Sequence, residues 1–184
     1  MRRDALLLLL LAAAACTGRG AAPAVPIDLV ALFDSADKRP PRAFSVRDAA
    51  FENGTLRGIV AAVPSRITWR VRIPRRATLR TAFGIEPEGW RELGDGVVFR
   101  LGISDRRTYE TLLSQRLDAP VSQGDRGWRR VSVDLSRFAG WQWSLFYHPS
   151  ATLWEIIFSI DGSPAPGIDR VEAVWGAPAI EVVR

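Results

Sequence analysis

Few residues in this 184-residue chain could do chemistry, and their scarcity already excludes several kinds. There is one cysteine, Cys16, and one histidine, His148. A single thiol excludes an intrachain disulfide and any all-protein cysteine metal centre, and one imidazole leaves zinc-hydrolase chemistry without ligands. His148 has no nucleophile in its sequence context, because the only thiol stands at the N-terminal end and no G-x-S-x-G elbow occurs. It reads as a loop histidine. Carboxylates are the remaining route to catalysis. Glu86, Glu88, Glu92 and Asp95 cluster in one loop, and a glycosidase needs only two positioned acids. The same density is that of a solvated turn, so the chain is read as a non-enzyme.

Binding chemistry is better represented. There are seven tryptophans, whose flat rings stack on the apolar face of a sugar and are also the largest core fillers. Trp69, Trp143 and Trp154 fall in phase with aliphatic neighbours and are expected in the core. Trp128 follows the turn at Gly124 to Gly127 and Trp175 closes an apolar run, so both are expected at the ends of the fold. Trp90, in the loop from Pro87 to Glu92, and Trp141, beside Gly140, lie where strand meets loop. They are the candidate sugar-stacking rings, with Phe146 a further surface aromatic.

Of the 25 basic residues only Lys38 is a lysine, and the formal charge is +5. An arginine excess of this kind reflects GC-rich coding and argues little for nucleic acid. Arg66, Arg70 and Arg72 share the outward face of one strand, with Arg75, Arg76 and Arg80 just beyond. Such a stripe is either a solvated face or a surface for acidic polysaccharide, lipopolysaccharide phosphate or phospholipid heads. Arg70 and Arg72 therefore join Trp90 and Trp141 as candidate ligand-binding residues.

The elements that must position these residues begin with a processing segment. A basic start at Met1 to Arg3, an unbroken apolar run from Ala5 to Ala15, and small residues before Cys16 have the layout of a secretory signal. A helix over that run reaches only about 16 Å, roughly half the hydrocarbon thickness of a bilayer, so it is a leader and not a span. Ala13-Ala14-Ala15-Cys16 resembles the lipobox of bacterial lipoproteins, with Ala13 where leucine is usual. That resemblance implies that Cys16 becomes a lipidated first residue, whose several acyl chains would hold the protein to a membrane. With Thr17 following in place of aspartate, the expected location is the outer membrane, facing the periplasm or the exterior, and nucleic acid is not an expected partner. The organisation is then a signal peptide over 1–15, a Gly/Ala/Pro tether over 16–26 and a folded body over 27–184.

The body is 47% hydrophobic and 24% charged over the whole chain, a globular balance. Its dominant signal has period two, the mark of strands with one buried face. Ile67, Trp69, Val71 and Ile73 alternate with Arg66, Thr68, Arg70 and Arg72, and the same pattern recurs over Leu79–Ile85, Val97–Ile103, Val131–Leu135, Trp141–Tyr147 and Trp154–Ile160. Val171–Trp175 and Ile180–Val183 read as two final strands with a turn at Gly176 to Pro178. Thr108 to Leu117 has two readings, a helix or a strand that pairs with Val97–Ser104 through a tight turn at Asp105-Arg106, and the hairpin is taken. The fold expected is an all-β, antiparallel jelly-roll sandwich of about eight to ten strands.

The order of SRITWRVRIP (65–74), Trp90, GDGVVF (94–99), Trp128, VDLS (133–136), Ala139-Gly140 and WGAP (175–178) resembles a β-sandwich module of bacterial exported proteins that is similar to the galactose-binding-like jelly rolls. The resemblance implies a binding or accessory module, frequently for carbohydrate. It also brings a structural calcium into view, for which Asp95, Asp105 and Asp134 have the right oxygen donors but no spaced D-x-D-x-D loop. No other cofactor is implied. Two functions follow: a lipid-anchored envelope protein that binds glycan or another anionic ligand, or an assembly lipoprotein that docks a protein partner in the envelope.

Overall fold

Alternation of apolar and polar side chains over short runs, broken by Gly, Pro and Asp, builds strands and little else. A computed structural model describes residues 25–139, 153–164 and 171–182. They form eleven strands: β1 (Ile27–Asp28), β2 (Asp37–Arg39), β3 (Phe44–Phe51), β4 (Gly54–Ala62), β5 (Ser65–Val71), β6 (Ala77–Ile85), β7 (Leu93–Ser104), β8 (Tyr109–Leu117), β9 (Arg129–Asp134), β10 (Trp154–Pro164) and β11 (Glu172–Val182). Short 3-10 turns make up the only helical elements among the described residues. Cys16, Trp141, Trp143, Phe146 and His148 lie outside those residues.

The strands make two antiparallel sheets. One has the order β3-β4-β11-β6-β9, with β1 added beside β11, and the other has the order β2-β5-β10-β7-β8. The fold is the all-β sandwich that the periodicity predicts. The β7–β8 hairpin forms through the turn at Asp105 as expected. The C-terminal segment differs: Val171–Trp175 and Ile180–Val183 are not two strands around a turn. Residues 172–182 form one strand, in which a bulge shifts the register between Gly176 and Ala179 and places Ala177 at φ 43. A bulge absorbs an extra residue without ending the pairing, so Gly-Ala-Pro here bends a strand instead of reversing the chain.

The core is aromatic at its centre. Phe83 and Trp175 from the first sheet meet Phe99 and Phe158 from the second, with ring centroids 4.6–5.5 Å apart. Trp175 is therefore a fully buried ring at the middle of the sandwich and not at its end. Trp69 is also in the core, against Phe158, and Trp154 packs on its margin beside Phe138. Trp128 seals a second, smaller cluster with Phe51, Val60 and Val174. Val60 and Val174 alternate with the core residues Ile59 and Trp175, so this cluster lies on the outer side of the first sheet. Gly176 lets the Trp128 ring approach: a β-carbon there would stand 2.7 Å from it.

Candidate functional site

Because Ile67, Trp69 and Val71 point into the core, Arg66, Thr68 and Arg70 must point out, and the register carries this face across the second sheet. At one level Arg39, Arg66, Ser159, Arg100 and Ser114 are successive cross-strand partners. At the next, Asp37, Thr68, Ile157, Gly102 and Thr111 are. At the third, Arg70, Glu155, Ser104 and Tyr109 are. Together with the turns before β2 and after β7, strands β2, β5, β7 and β10 form a cavity of about 720 Å³ that Arg39, Arg66, Thr68, Arg70, Arg106 and Glu155 line. That volume is within the range of small-ligand sites.

Glu155 organises one end. Arg70 Nε donates to it at 3.2 Å and Arg106 Nε lies 3.6 Å from the same oxygen. Arg106 reaches it from a left-handed backbone conformation, φ 75, that a side chain disfavours. The turn is held there by several bonds. Ser104 Oγ accepts from the Arg106 amide at 2.9 Å, and the Asp105 carboxylate accepts from Thr108 at 2.7 Å and Arg107 at 2.9 Å. Those amides, Thr108 first, hold the Asp105 carboxyl below the usual aspartate range. At the same edge Tyr109 is 49% exposed, and its ring covers Gly102 so closely that a β-carbon at Gly102 would lie 2.4 Å from the ring and its hydroxyl. Ile157, beside Gly102, is only 2% exposed although it belongs to the outer face. The half-exposed Tyr109 ring thus stands on the same face as the cavity, whose hydrogen-bonding groups come from Arg70, Arg106 and Glu155.

The other sequence candidates are elsewhere. Arg72 is exposed past the end of β5, outside the cavity lining, with no ion-pair partner among the described residues. Trp90 is not the open ring its loop position suggests. It packs partly buried against the core, donates its indole N–H to the Ile85 carbonyl at 2.7 Å, and lies 5.2 Å below the Arg126 guanidinium. The structure thus brings Arg70 into the cavity and leaves Trp90 and Arg72 apart from it. Of the loop acids, Glu86 faces Glu172, with Arg47 between them at 2.5 and 2.9 Å. The bond to Glu86 raises the Arg47 pKa above its usual value. The side chains of Glu92 and Asp95 lie outside the described residues. Asp105 and Asp134 do not fit a shared calcium ion, since they belong to different sheets and each binds the amides of its own turn.

Tyr109 and Glu155 escaped the sequence reading for different reasons. The hairpin register places Tyr109 opposite Ser104, and a glycine in the outward series Val98, Arg100, Gly102, Ser104 signals an occupant above it. Glu155 has no such local signal, because it meets Arg70 only when β10 inserts between β5 and β7.

The architecture is an all-β sandwich of two antiparallel sheets, a fold shared with carbohydrate-binding modules of known structure. It is similar to the CBM51-2 and INT domains of Clostridium perfringens ZmpB, solved with GlcNAc, at 17% identity and a TM-score of 0.53 over 87% of this chain and 32% of that one. It is similar also to the CBM51 of Clostridium perfringens GH95, solved with methyl-galactose, at 15% identity and a TM-score of 0.51 over 85% of this chain and 99% of that one. In sequence, 110 residues, 59% of the chain, are 36% identical to an uncharacterised protein of Archaeoglobus fulgidus, of which they span about a quarter, 25%. No protein-family model matches the chain.

Proposed function

We propose that this chain is a lipid-anchored, non-catalytic module of the cell envelope that binds glycan in the cavity on the outer face of the second sheet. The observation that carries this reading is the buttressed Arg-Glu-Arg cluster lining that cavity, with the half-exposed Tyr109 ring on the same face beside it. Sugars need a flat ring for their apolar face and paired donors and acceptors for their hydroxyls. Two proteins of similar fold were solved with GlcNAc and methyl-galactose, which supports a sugar as the ligand. Cys16, lipidated, would tether the body to the membrane through the segment 16–26.

The test is a glycan array on the full chain beside Thr68→Trp, which fills the cavity from a strand position with room outside. Wild type should bind one glycan class and the variant should not. Absence of binding in the wild type, or binding that Thr68→Trp retains, overturns the reading. Trp90→Ala and Trp141→Ala run in parallel; loss in those and not in Thr68→Trp moves the site to the loops. For the tether, Cys16→Ser should release the protein from the membrane fraction, and retention without that thiol refutes lipid anchoring.

A further inference from the structure

The arginines of the cavity are not equivalent. Arg70 and Arg106 share Glu155, Arg39 holds Asp37 at 3.0 Å, and Arg100 pairs with Asp161. Arg66 is exposed, lines the cavity and has no hydrogen-bond or ion-pair partner among the described residues. Its cross-strand partner on one side is Arg39, and on the other is the uncharged Ser159. Like charges directly opposite each other in an antiparallel pair disfavour it, and here β2 and β5 set two guanidinium groups opposite each other at the cavity margin, of which Arg39 is balanced by Asp37 and Arg66 by no carboxylate among the described residues. An anion lying between them would remove that repulsion, and planar guanidinium groups take carboxylate and sulfate oxygens in forked contacts.

The two ends of the face therefore differ. Tyr109, over Gly102 in β7, borders the end where Glu155 stands, and Arg66 and Arg39 form the other. The Tyr109 ring lies over Gly102 in β7, two strands from Arg66 in β5, roughly 10 Å at the spacing of neighbouring strands. That separation exceeds one sugar ring. Resting on the glycan reading above, we propose that this cavity and the Tyr109 edge of the same face select an acidic oligosaccharide, with a carboxylate or sulfate of the chain held between Arg66 and Arg39 in the cavity and a separate ring lying against Tyr109 outside it. The hydroxyls between them meet Thr68, Ser159 and the carboxylate of Glu155.

The experiment is calorimetric titration of the full chain with an oligogalacturonate, a sulfated galacto-oligosaccharide, a neutral galacto-oligosaccharide and sodium sulfate. One or both acidic chains should bind at least about 10-fold more tightly than the neutral chain and than sulfate alone, and weaken as salt is raised. Which of them binds separates carboxylate from sulfate. Arg66→Ala should lose about 10-fold or more toward the preferred chain. Arg130→Ala, an equal loss of charge from exposed β9 in the other sheet, should lose none. Unchanged thermal melting keeps an unfolded variant from counting. Equal affinity for neutral and acidic chains, or equal effects of the two substitutions, overturns the acidic selectivity and leaves glycan binding standing. Binding of sulfate as tight as that of the sugars overturns the sugar component, and no binding to any of them overturns both proposals.

Discussion

Gly102 and Tyr109 make a contact that a double-mutant cycle can read. In Gly102→Ala the new β-carbon would lie 2.4–2.6 Å from Tyr109 Cε2, Oη and Cζ. Backbone atoms cannot yield, but these are the far atoms of a half-exposed side chain, so the ring moves. With half its surface exposed, the ring buries about 100 Å², and losing that contact costs about 2.5 kcal/mol at ~25 cal/mol per Å². Against this, alanine in a strand gains about 0.5–1 kcal/mol over glycine through the unfolded chain. Gly102→Ala should therefore destabilise by about 1.5–2 kcal/mol and Tyr109→Ala by about 2.5 kcal/mol. In the Tyr109→Ala background, where nothing remains to collide with, Gly102→Ala should instead stabilise by about 0.5–1 kcal/mol. Urea unfolding followed by tryptophan fluorescence measures each leg, with midpoints displaced by about 1 M for a typical slope. The same cost for Gly102→Ala in both backgrounds would refute a ring seated on Gly102. Both single variants should also lose glycan binding.

Arg106→Gly should relieve a left-handed conformation worth about 1–2 kcal/mol and lose an exposed ion pair worth at most about 1 kcal/mol. The protein should melt at an equal or higher temperature while its glycan affinity falls; a lower melting temperature would count against strain held for binding. Trp175→Ala removes the ring between the sheets and should cost about 3–5 kcal/mol, a large part of a typical domain's stability, as measured by calorimetric melting. Burial acts to raise the Asp125 pKa, but the Asp118 amide at 3.0 Å and Arg129 at 2.7 Å outweigh it and hold the carboxyl below the usual range. A depressed folded pKa contributes stability that is present above the unfolded value of about 3.9 and lost as pH falls through the folded value. Asp125→Asn should flatten the acid limb of the stability profile below about pH 4, and an unchanged limb would exclude this pairing.

The hairpin shows how far local reading extends. Strands β5, β6, β7 and β10 and their inward residues follow from alternation, because which side of a strand a residue faces depends only on its parity. The Asp105 turn then sets the β7–β8 register, and with it the position of Tyr109, from a few adjacent residues. Where a local signal has two physical outcomes, parity is insufficient. Gly-Ala-Pro at 176–178 could turn the chain or bulge it, and pairing on both sides of β11 made it a bulge. Trp90 sat in a loop with acids and glycine, yet its indole N–H found the Ile85 carbonyl and its ring found Arg126.

Sequence alone determined the class of fold and the outward face of β5. Only tertiary structure decided which outward residues meet. Arg70 and Glu155 are 85 residues apart, and Arg39 faces Arg66 because β2 pairs with β5 at the edge of the sheet. Alternation tells each strand which residues to bury but carries no information about its neighbours. Those are chosen by the packing of Phe83, Phe99, Phe158 and Trp175 between the sheets, and the cavity on the outer face is a consequence of that choice.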